Sequence, residues 1–333
     1  MNYSVDGILK PIAIIYNPVS GKKTNLVPLI EERLNSEGVP FEMIPTQKFM
    51  DTYNFAKELD LSRYSVLCCC GGDGTYHETV NGMLNREDKL KIPVAFLPNG
   101  SGNDLCNALG ISSLKVALDY LVRGTCIKID TIRVLADYSN EEELPDGIDR
   151  LNFCRHMMIN STMGVPAKIQ TSAGPLKWLF GTKCYEVASL WEAVRGNFKA
   201  DNFDLYIDEE KVNKEESMIE TVLVMVTNGK FGGGGMVINP FACINDGLCD
   251  IAFISDPSIN SLLGVAGMLN QAKKQGGAHA YMGQTTFMRG KKIRVVFKGR
   301  PGATAEQNAQ EQLLGIDGED LKYHEQVTFE NFP

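Results

Sequence analysis

Between Ser65 and Asn85 the chain reads SVLCCCGGDGTYHETVNGMLN, and its chemistry-bearing residue is Asp73, set among Gly71, Gly72, Gly74 and Thr75. Glycines around a carboxylate let the backbone amides turn into one concavity, because no Cβ holds a ligand away and φ > 0 is allowed. Amides gathered at a helix start attract phosphate. A carboxylate in that cradle would repel bare phosphate but suits one bridged by Mg²⁺, which is usually held by one or two carboxylates plus phosphate oxygens. The pentapeptide therefore fits a metal nucleotide. A glycine-rich turn can also be no more than tight, and neither GxxxxGK[ST] nor a helix-opening GxGxxG is present.

To hold Asp73 in place the chain needs a strand before it and a helix after it. The apolar run Val66 to Cys70 predicts the strand, and Tyr76, His77, Val80 and Leu84 resume at helical spacing. The same alternation surrounds it. Lys10 to Tyr16 reads as a buried parallel strand, turned by Asn17, Pro18, Ser20 and Gly21. A helix over Leu26 to Leu34, a strand over Phe41 to Ile44 stopping at Pro45 and Thr46, and a helix from Tyr53 to Leu59 follow. Behind the turn come a strand from Pro93 to Leu97, the turn Pro98 to Gly102, and a helix from Asp104 to Leu109. Repeated βα units imply a parallel sheet with right-handed crossovers and ligands at the strand C-terminal ends. Three turns, Asn17 to Gly21, Gly71 to Thr75 and Asn99 to Asp104, then meet along one edge and together describe a site.

After Asp130 the pattern changes. Thr131 to Ala136, Arg155 to Ile159, Phe203 to Ile207, Thr221 to Val226, Met236 to Ile238, Cys249 to Ile254 and Lys292 to Phe297 are short and β-rich, which predicts an antiparallel sandwich. A helical stretch from Leu176 to Phe198 interrupts them, carrying Trp178, Leu179, Phe180, Tyr185, Leu190 and Trp191, and a further helix covers Ser261 to Gln271. Aromatics at helical spacing ordinarily face a core, and the alternative is a membrane-facing lid. The charge-rich Glu141 to Asp149 and Asp208 to Glu216 read as solvated loops or hairpin ends.

At 333 residues the chain is longer than single cores usually grow, so two domains are expected. A net charge of −8 argues against a nucleic-acid binder, which needs a clustered basic surface, although Lys291, Lys292, Arg294, Lys298 and Arg300 form a local basic patch. Of nine cysteines, Cys68, Cys69 and Cys70 fall in a row on a strand, where neighbours point to opposite faces, and they read as small core residues. No CxxC pair with zinc spacing occurs. The N-terminal stretch lacks the features of a secretory signal and no long charge-free segment is present, which points to a reduced, cytoplasmic setting without a transmembrane segment.

GGDGT followed by His77, Glu78, Asn81 and Gly82 resembles the diacylglycerol kinase catalytic domain family, which includes sphingosine kinase, ceramide kinase and bacterial lipid kinases such as bacterial diacylglycerol kinase. GGDGT alone is shared with NAD kinases and phosphofructokinases, so the flanks decide. Asn17, Pro18, Ser20 and Gly21 resemble the family's first turn. Pro98, Gly100, Ser101, Gly102, Asn103 and Asp104 look like its PxGTxND turn. Asn228, Gly229, Gly232 to Gly234, Pro240, Ala242, Asp246, Gly247, Leu248 and Asp250 are similar to its NG…GGG…P.A…DGxLD block, and Asp317, Gly318 and Glu319 match its DGE. The blocks run in order from Ile12 to about Phe329.

The resemblance implies a parallel, Rossmann-like α/β N-terminal domain over 8–130, of the NAD kinase and diacylglycerol kinase kind, and a β-rich antiparallel sandwich second domain over 131–322, with 323–333 a candidate for completing the first. It implies transfer of the ATP γ-phosphoryl group to a lipid hydroxyl in a cleft between the domains, at a membrane surface, with peripheral membrane association; a homodimer is compatible with it. Asp317 would be the general base, with Glu319 supporting it or sharing the role, since adjacent like charges hold protons more tightly. Asn17, Pro18, Ser20, Gly21, Thr46, Gly71, Gly72, Asp73, Gly74, Thr75, Glu78, Gly100, Ser101 and Asn103 would bind the nucleotide. Asp73, Asp104, Asp130 and Glu319 would hold Mg²⁺, and a second, structural Mg²⁺ known in bacterial relatives would fall at Cys243, Asp246 and Leu248. Sphingosine kinases place a carboxylate near the substrate amine, whereas the aligned Asn160 to Gln170 carries only Lys168 as a charge. A neutral glyceride is therefore favoured over sphingosine. A kinase for a soluble metabolite and a silent lipid-binding module are the alternatives; retention of Asp73, Asp104, Asp317 and Glu319 speaks against silence.

Overall fold

The structure is a computed structural model that describes residues 4–5, 8–18, 26–176, 184–213, 217–274 and 276–332. It divides into two compact units, Met1–Lys128 and Ile129–Pro333.

In the first unit a short antiparallel pair, β1 (Ser4–Val5) and β2 (Ile8–Leu9), precedes a four-stranded parallel sheet of order β4-β3-β5-β6. Its strands are β3 (Ile12–Tyr16), β4 (Phe41–Pro45), β5 (Val66–Gly71) and β6 (Val94–Pro98). Both faces are covered. Ile12, Ile14, Val66, Cys68 and Cys70 pack with Ile30 and Leu34 of α1 (Val27–Ser36) and Ala117, Leu118 and Leu121 of α5 (Leu114–Arg123). Ala13, Ile15 and Leu67 pack on the other side with Ala56 of α2 (Asp51–Glu58) and Met83 of α3 (Asp73–Leu84). Strands buried on both sides read as unbroken apolar runs, which is why β3 and β5 are legible in the sequence. Cys68 and Cys70 share one face, and all nine cysteines are free thiols. α4 (Asp104–Ala108) is short, and α5 escaped the sequence reading although Ser113 caps its start and left-handed Gly124 its end.

The second unit is a two-sheet antiparallel sandwich with helices on one outer face. One sheet runs β11-β10-β18-β21-β7-β8, with β12 also on β10; the other runs β17-β16-β13-β9-β19-β20. The first is built from β7 (Thr131–Ala136), β8 (Cys154–Met157), β10 (Asp201–Ile207), β11 (Glu210–Lys211), β12 (Ile219–Thr221), β18 (Lys292–Phe297) and β21 (Gln326–Phe332). The second holds β9 (Asn160–Gly164), β13 (Leu223–Thr227), β16 (Cys249–Ile254), β17 (Thr285–Gly290), β19 (Gln312–Ile316) and β20 (Glu319–Tyr323), while β14 (Phe231–Gly232) and β15 (Met236–Val237) form a hairpin across glycines 233–235. Alternate residues such as Ile132, Val134, Val224, Val226, Ile251, Phe253, Leu314 and Ile316 point into one shared core. The outer face of the second sheet is buried too, where Leu223, Met225 and Ile254 meet Val165 of α6 (Val165–Ala173) and Val265 and Met268 of the helix Leu262–Lys274.

Two sequence expectations change, and one central strand was missed. The tail is not free to complete the first sheet, because β21 is paired on both sides, to β18 and to β7, inside the second unit. β9, central in its sheet, buries Ser161 and Thr162, and those polar residues hid it from an apolar-pattern search. Of the expected helix Leu176 to Phe198, residues 177–183, and with them Trp178, Leu179 and Phe180, lie outside the described residues; the described helix is Cys184–Val194.

Candidate active site

The C-terminal ends of all four parallel strands of the first unit carry residues singled out in the sequence. Asn17 and Pro18 follow β3, Thr46 follows β4, the GGDGT turn follows β5 and residues 99–104 follow β6. Ser20 and Gly21 lie outside the described residues. Thr46 is buried, with its amide donating to the Tyr16 carbonyl at 2.9 Å.

The glycines of the central turn do not supply the positive φ that the sequence allowed for. Gly71, Gly72 and Gly74 are absent from the residues with positive φ, and Gly72 sits at φ −115°. What requires glycine is close approach. A Cβ on Gly100 would lie 2.5 Å from the Gly72 Cα, one on Gly72 would lie 3.0 Å from the Gly100 Cα, and one on Gly71 would run into Thr75 Oγ1 at 2.3 Å. The turns after β5 and β6 therefore touch backbone to backbone, joined by the Asn99 amide donating to the Gly71 carbonyl at 2.7 Å. The left-handed residue here is Asn103, φ 54°, whose side chain accepts the Gly100 amide at 3.0 Å and donates to the Gly100 carbonyl at 2.8 Å. Gly82, in the motif's tail, packs α3 on α2: a Cβ there would meet the Tyr53 carbonyl at 2.3 Å.

Asp73 opens α3 and Asp104 opens α4, and the Asp73 carboxylate accepts the Leu105 amide at 3.2 Å. Two carboxylates are thus brought to neighbouring helix starts. Carboxylate oxygens are the ligand type that Mg²⁺ takes, so these two could hold it. Beneath the pair the side chains are buried: burial pushes the Cys70 thiol up to about 11, the Cys106 thiol to about 12 and the Tyr76 hydroxyl higher still. Glu78, half-buried on α3, completes the residues expected at this end.

In the second unit the DGE forms the hairpin between β19 and β20, with Asp317 at φ 50° and Gly318 at φ 94°. Asp317 is buried, and its carboxylate accepts the amides of Met158 at 2.9 Å, Ile159 at 2.8 Å and Asn160 at 3.2 Å. Its own amide donates to the Asn160 carbonyl at 2.9 Å. Both oxygens thereby hold the bend between β8 and β9. The half-buried Glu319 carboxylate makes no hydrogen bond among the described residues, while its main-chain carbonyl accepts Gln170 Nε2 at 3.2 Å. Arg155, whose guanidinium burial pushes down, feels Glu319 pulling the other way. Sequence reasoning had no signal for Gln170, which also reaches Asp320 at 3.0 Å. Asp130 accepts the Gly247 amide at 2.7 Å, and its carbonyl takes the buried Asn228 side chain at 2.9 Å.

Residues 11–134 match the model of the diacylglycerol kinase catalytic domain, and residues 160–325 match that of the YegS C-terminal NAD kinase beta sandwich-like domain. The chain belongs to the diacylglycerol kinase family of lipid kinases. Sphingosine kinase 1 of Arabidopsis thaliana is 23% identical over 94% of this lipid kinase and 68% of its own length. The diacylglycerol kinase of Bacillus subtilis (strain 168) is 27% identical over 78% of each chain. The crystal structure of a diacylglycerol kinase from Bacillus anthracis str. Sterne superposes with a TM-score of 0.60 at 17% identity, covering 96% of this chain and 94% of that one, a likeness of fold. No described helix of the lipid kinase is long and apolar enough to cross a membrane, and no group of three or more His, Cys, Asp or Glu forms a metal cluster among the described residues.

Proposed function

We propose that this lipid kinase phosphorylates the hydroxyl of a neutral glyceride, diacylglycerol or a relative, with ATP. The first unit's strand-end turns serve the nucleotide: Gly72 and Gly100 bring two backbones together where phosphate would bind, and Asp73 and Asp104 would hold Mg²⁺, which would neutralise phosphate charge. In the second unit Glu319 takes the proton as the hydroxyl oxygen attacks the γ-phosphorus and ADP leaves. The base role passes from Asp317 to Glu319 in this reading because three amides already occupy the Asp317 carboxylate.

The acceptor's neutrality rests on one observation: the carboxylates near Lys168 are committed elsewhere. Asp201 pairs with Arg300 at 2.7 Å, and Glu192 accepts Ser172 at 2.5 Å and Asn197 at 2.7 Å. Lys168 itself is a buried amine without a hydrogen-bond partner among the described residues. An ammonium substrate bound beside Lys168 would meet a cation whose neighbouring carboxylates, Asp201 and Glu192, are already paired, at a desolvation cost of several kcal/mol. A lipid surface is supported by the helix Cys184–Val194, where Leu190, Trp191 and Val194 are 62%, 55% and 75% exposed on one face and Arg195 lies 5.6 Å over the Trp191 ring.

Radiolabelled ATP supplied with diacylglycerol, monoacylglycerol, sphingosine, ceramide and NAD tests this. A neutral glyceride should exceed sphingosine in kcat/KM by about tenfold or more, ~1.4 kcal/mol. Sphingosine turned over as well or better in the same detergent defeats the glyceride assignment, and NAD as the sole acceptor defeats the lipid one.

A further inference from the structure

The second, structural Mg²⁺ that the family resemblance assigns to Cys243, Asp246 and Leu248 would sit in the loop 239–248. That loop is held in another way. Asp246 Oδ1 accepts the Leu248 amide at 3.2 Å and Oδ2 accepts Arg289 Nη1 at 3.3 Å, so both of its oxygens are engaged. The Cys243 thiol lies 3.3 Å from the Asn245 side-chain oxygen. Arg289 stands on β17 directly opposite Asp250 on β16. Its Nε and Nη2 donate to Asp250 Oδ1 at 3.0 and 2.7 Å, and Nη2 also donates to the Phe241 carbonyl at 2.9 Å. One guanidinium therefore joins two carboxylates and a main-chain carbonyl, the oxygen types that a hard divalent cation collects. A divalent ion at Asp246 would face this fixed positive charge at hydrogen-bond range, so the residues present do not fit Mg²⁺.

We propose that Arg289 takes the place of a divalent cation in this chain and holds the loop without metal. The consequence reaches Asp130. The loop's Gly247 amide donates to Asp130 Oδ2 at 2.7 Å and its Ile244 carbonyl accepts the Asp130 amide at 2.9 Å, so the guanidinium that fixes the loop also fixes that carboxylate. Asn228 ties the Asp130 carbonyl to the Met158 carbonyl, beside the amides that Asp317 holds. The support of this end of the sandwich is accordingly independent of divalent ions. Asp250 Oδ2, buried without a hydrogen-bond partner among the described residues, is where an ion would bind if the arginine were only an adjunct to a metal.

The test counts Mn²⁺ on the full, nucleotide-free chain by electron paramagnetic resonance and follows melting in Mg²⁺ against EDTA. Arg289→Met should bind one more Mn²⁺ than wild type and lose it again in Arg289→Met/Asp246→Asn. Mg²⁺ should raise its melting temperature by about 5 °C or more beyond any shift in wild type. In the wild-type background Asp246→Asn should leave the Mn²⁺ count unchanged, a measurement that stands even if Arg289→Met does not fold. A count that falls on Asp246→Asn alone overturns the proposal, as does an Arg289→Met protein that melts lower yet gains no ion. None of these readouts depends on phosphorylation, so failure of the kinase assignment would leave them intact.

Discussion

Asp317 and Glu319 stand two positions apart and differ in their contacts: three amides donate to the first carboxylate, and no hydrogen bond among the described residues reaches the second. Removing the Asp317 charge would leave three amides, two of them buried, facing an amide group, so Asp317→Asn should lose roughly 2–4 kcal/mol of stability in urea unfolding, whatever its effect on rate. Glu319→Gln disturbs no side-chain hydrogen bond among the described residues; it should melt as wild type and lose activity by roughly 10² to 10⁴-fold. A stable, inactive Asp317→Asn beside an active Glu319→Gln would return the base role to Asp317. Lys168 makes a third residue-scale case. Burial pushes its amine's pKa down, Asp201 opposes the shift, and no hydrogen bond compensates. Lys168→Met should therefore stabilise the protein by about 1 kcal/mol, seen as a higher urea midpoint; a lower midpoint would mean that Asp201 and Glu192 already balance the charge. The DGE was visible in the sequence but its partners were not, because the amides it holds lie 157 to 159 positions earlier in the chain.

At the scale of elements, the nucleotide edge depends on two turns meeting without side chains. Gly100→Ala places its Cβ 2.5 Å from the Gly72 Cα and Gly72→Ala places its own 3.0 Å from the Gly100 Cα, so the first should be the more damaging. Overpacking of this size costs about 1–3 kcal/mol, a loss of roughly one to two orders of magnitude in affinity for a non-hydrolysable ATP analogue by calorimetry. Wild-type affinity in both variants would remove the cradle from the nucleotide site. The strands that position these turns were legible because a parallel sheet buried on both faces needs continuous apolar runs. β9 and β17 were missed for the converse reason: one buries Ser161 and Thr162, and the other is only partly buried along most of its length.

Across the whole molecule, acid sensitivity should come in part from the second unit. His279 is buried among Leu223, Met225, Ile238, Ala252 and Met268, donates from Nε2 to the Ile238 carbonyl at 2.8 Å and leaves Nδ1 without a partner. Burial pulls its pKa below the ordinary imidazole value. The unfolded chain then takes up a proton before the folded one does, so the stability this residue contributes is present above about pH 6.5 and is lost as pH falls through the folded value. Between about pH 7 and pH 5 the melting temperature should drop more steeply in wild type than in His279→Gln, which keeps a donor for the Ile238 carbonyl. Equal slopes would show that other groups set the acid limit.

The sequence by itself determined what neighbours along the chain decide. Apolar periodicity gave the βα order of the first unit and the β-rich second, alternation put Cys68 and Cys70 on one face, and glycine and polar turns marked the strand ends that carry Asp73 and Asp104. Tertiary structure alone decided which groups meet. Asp317 accepts three amides at the bend between β8 and β9, Arg289 bridges Asp246 and Asp250, Gly72 and Gly100 approach too closely for a Cβ and have no need of a positive φ, and the last strand joins the sandwich. Each of these depends on register between segments far apart in sequence, and composition and local spacing carry no record of such register.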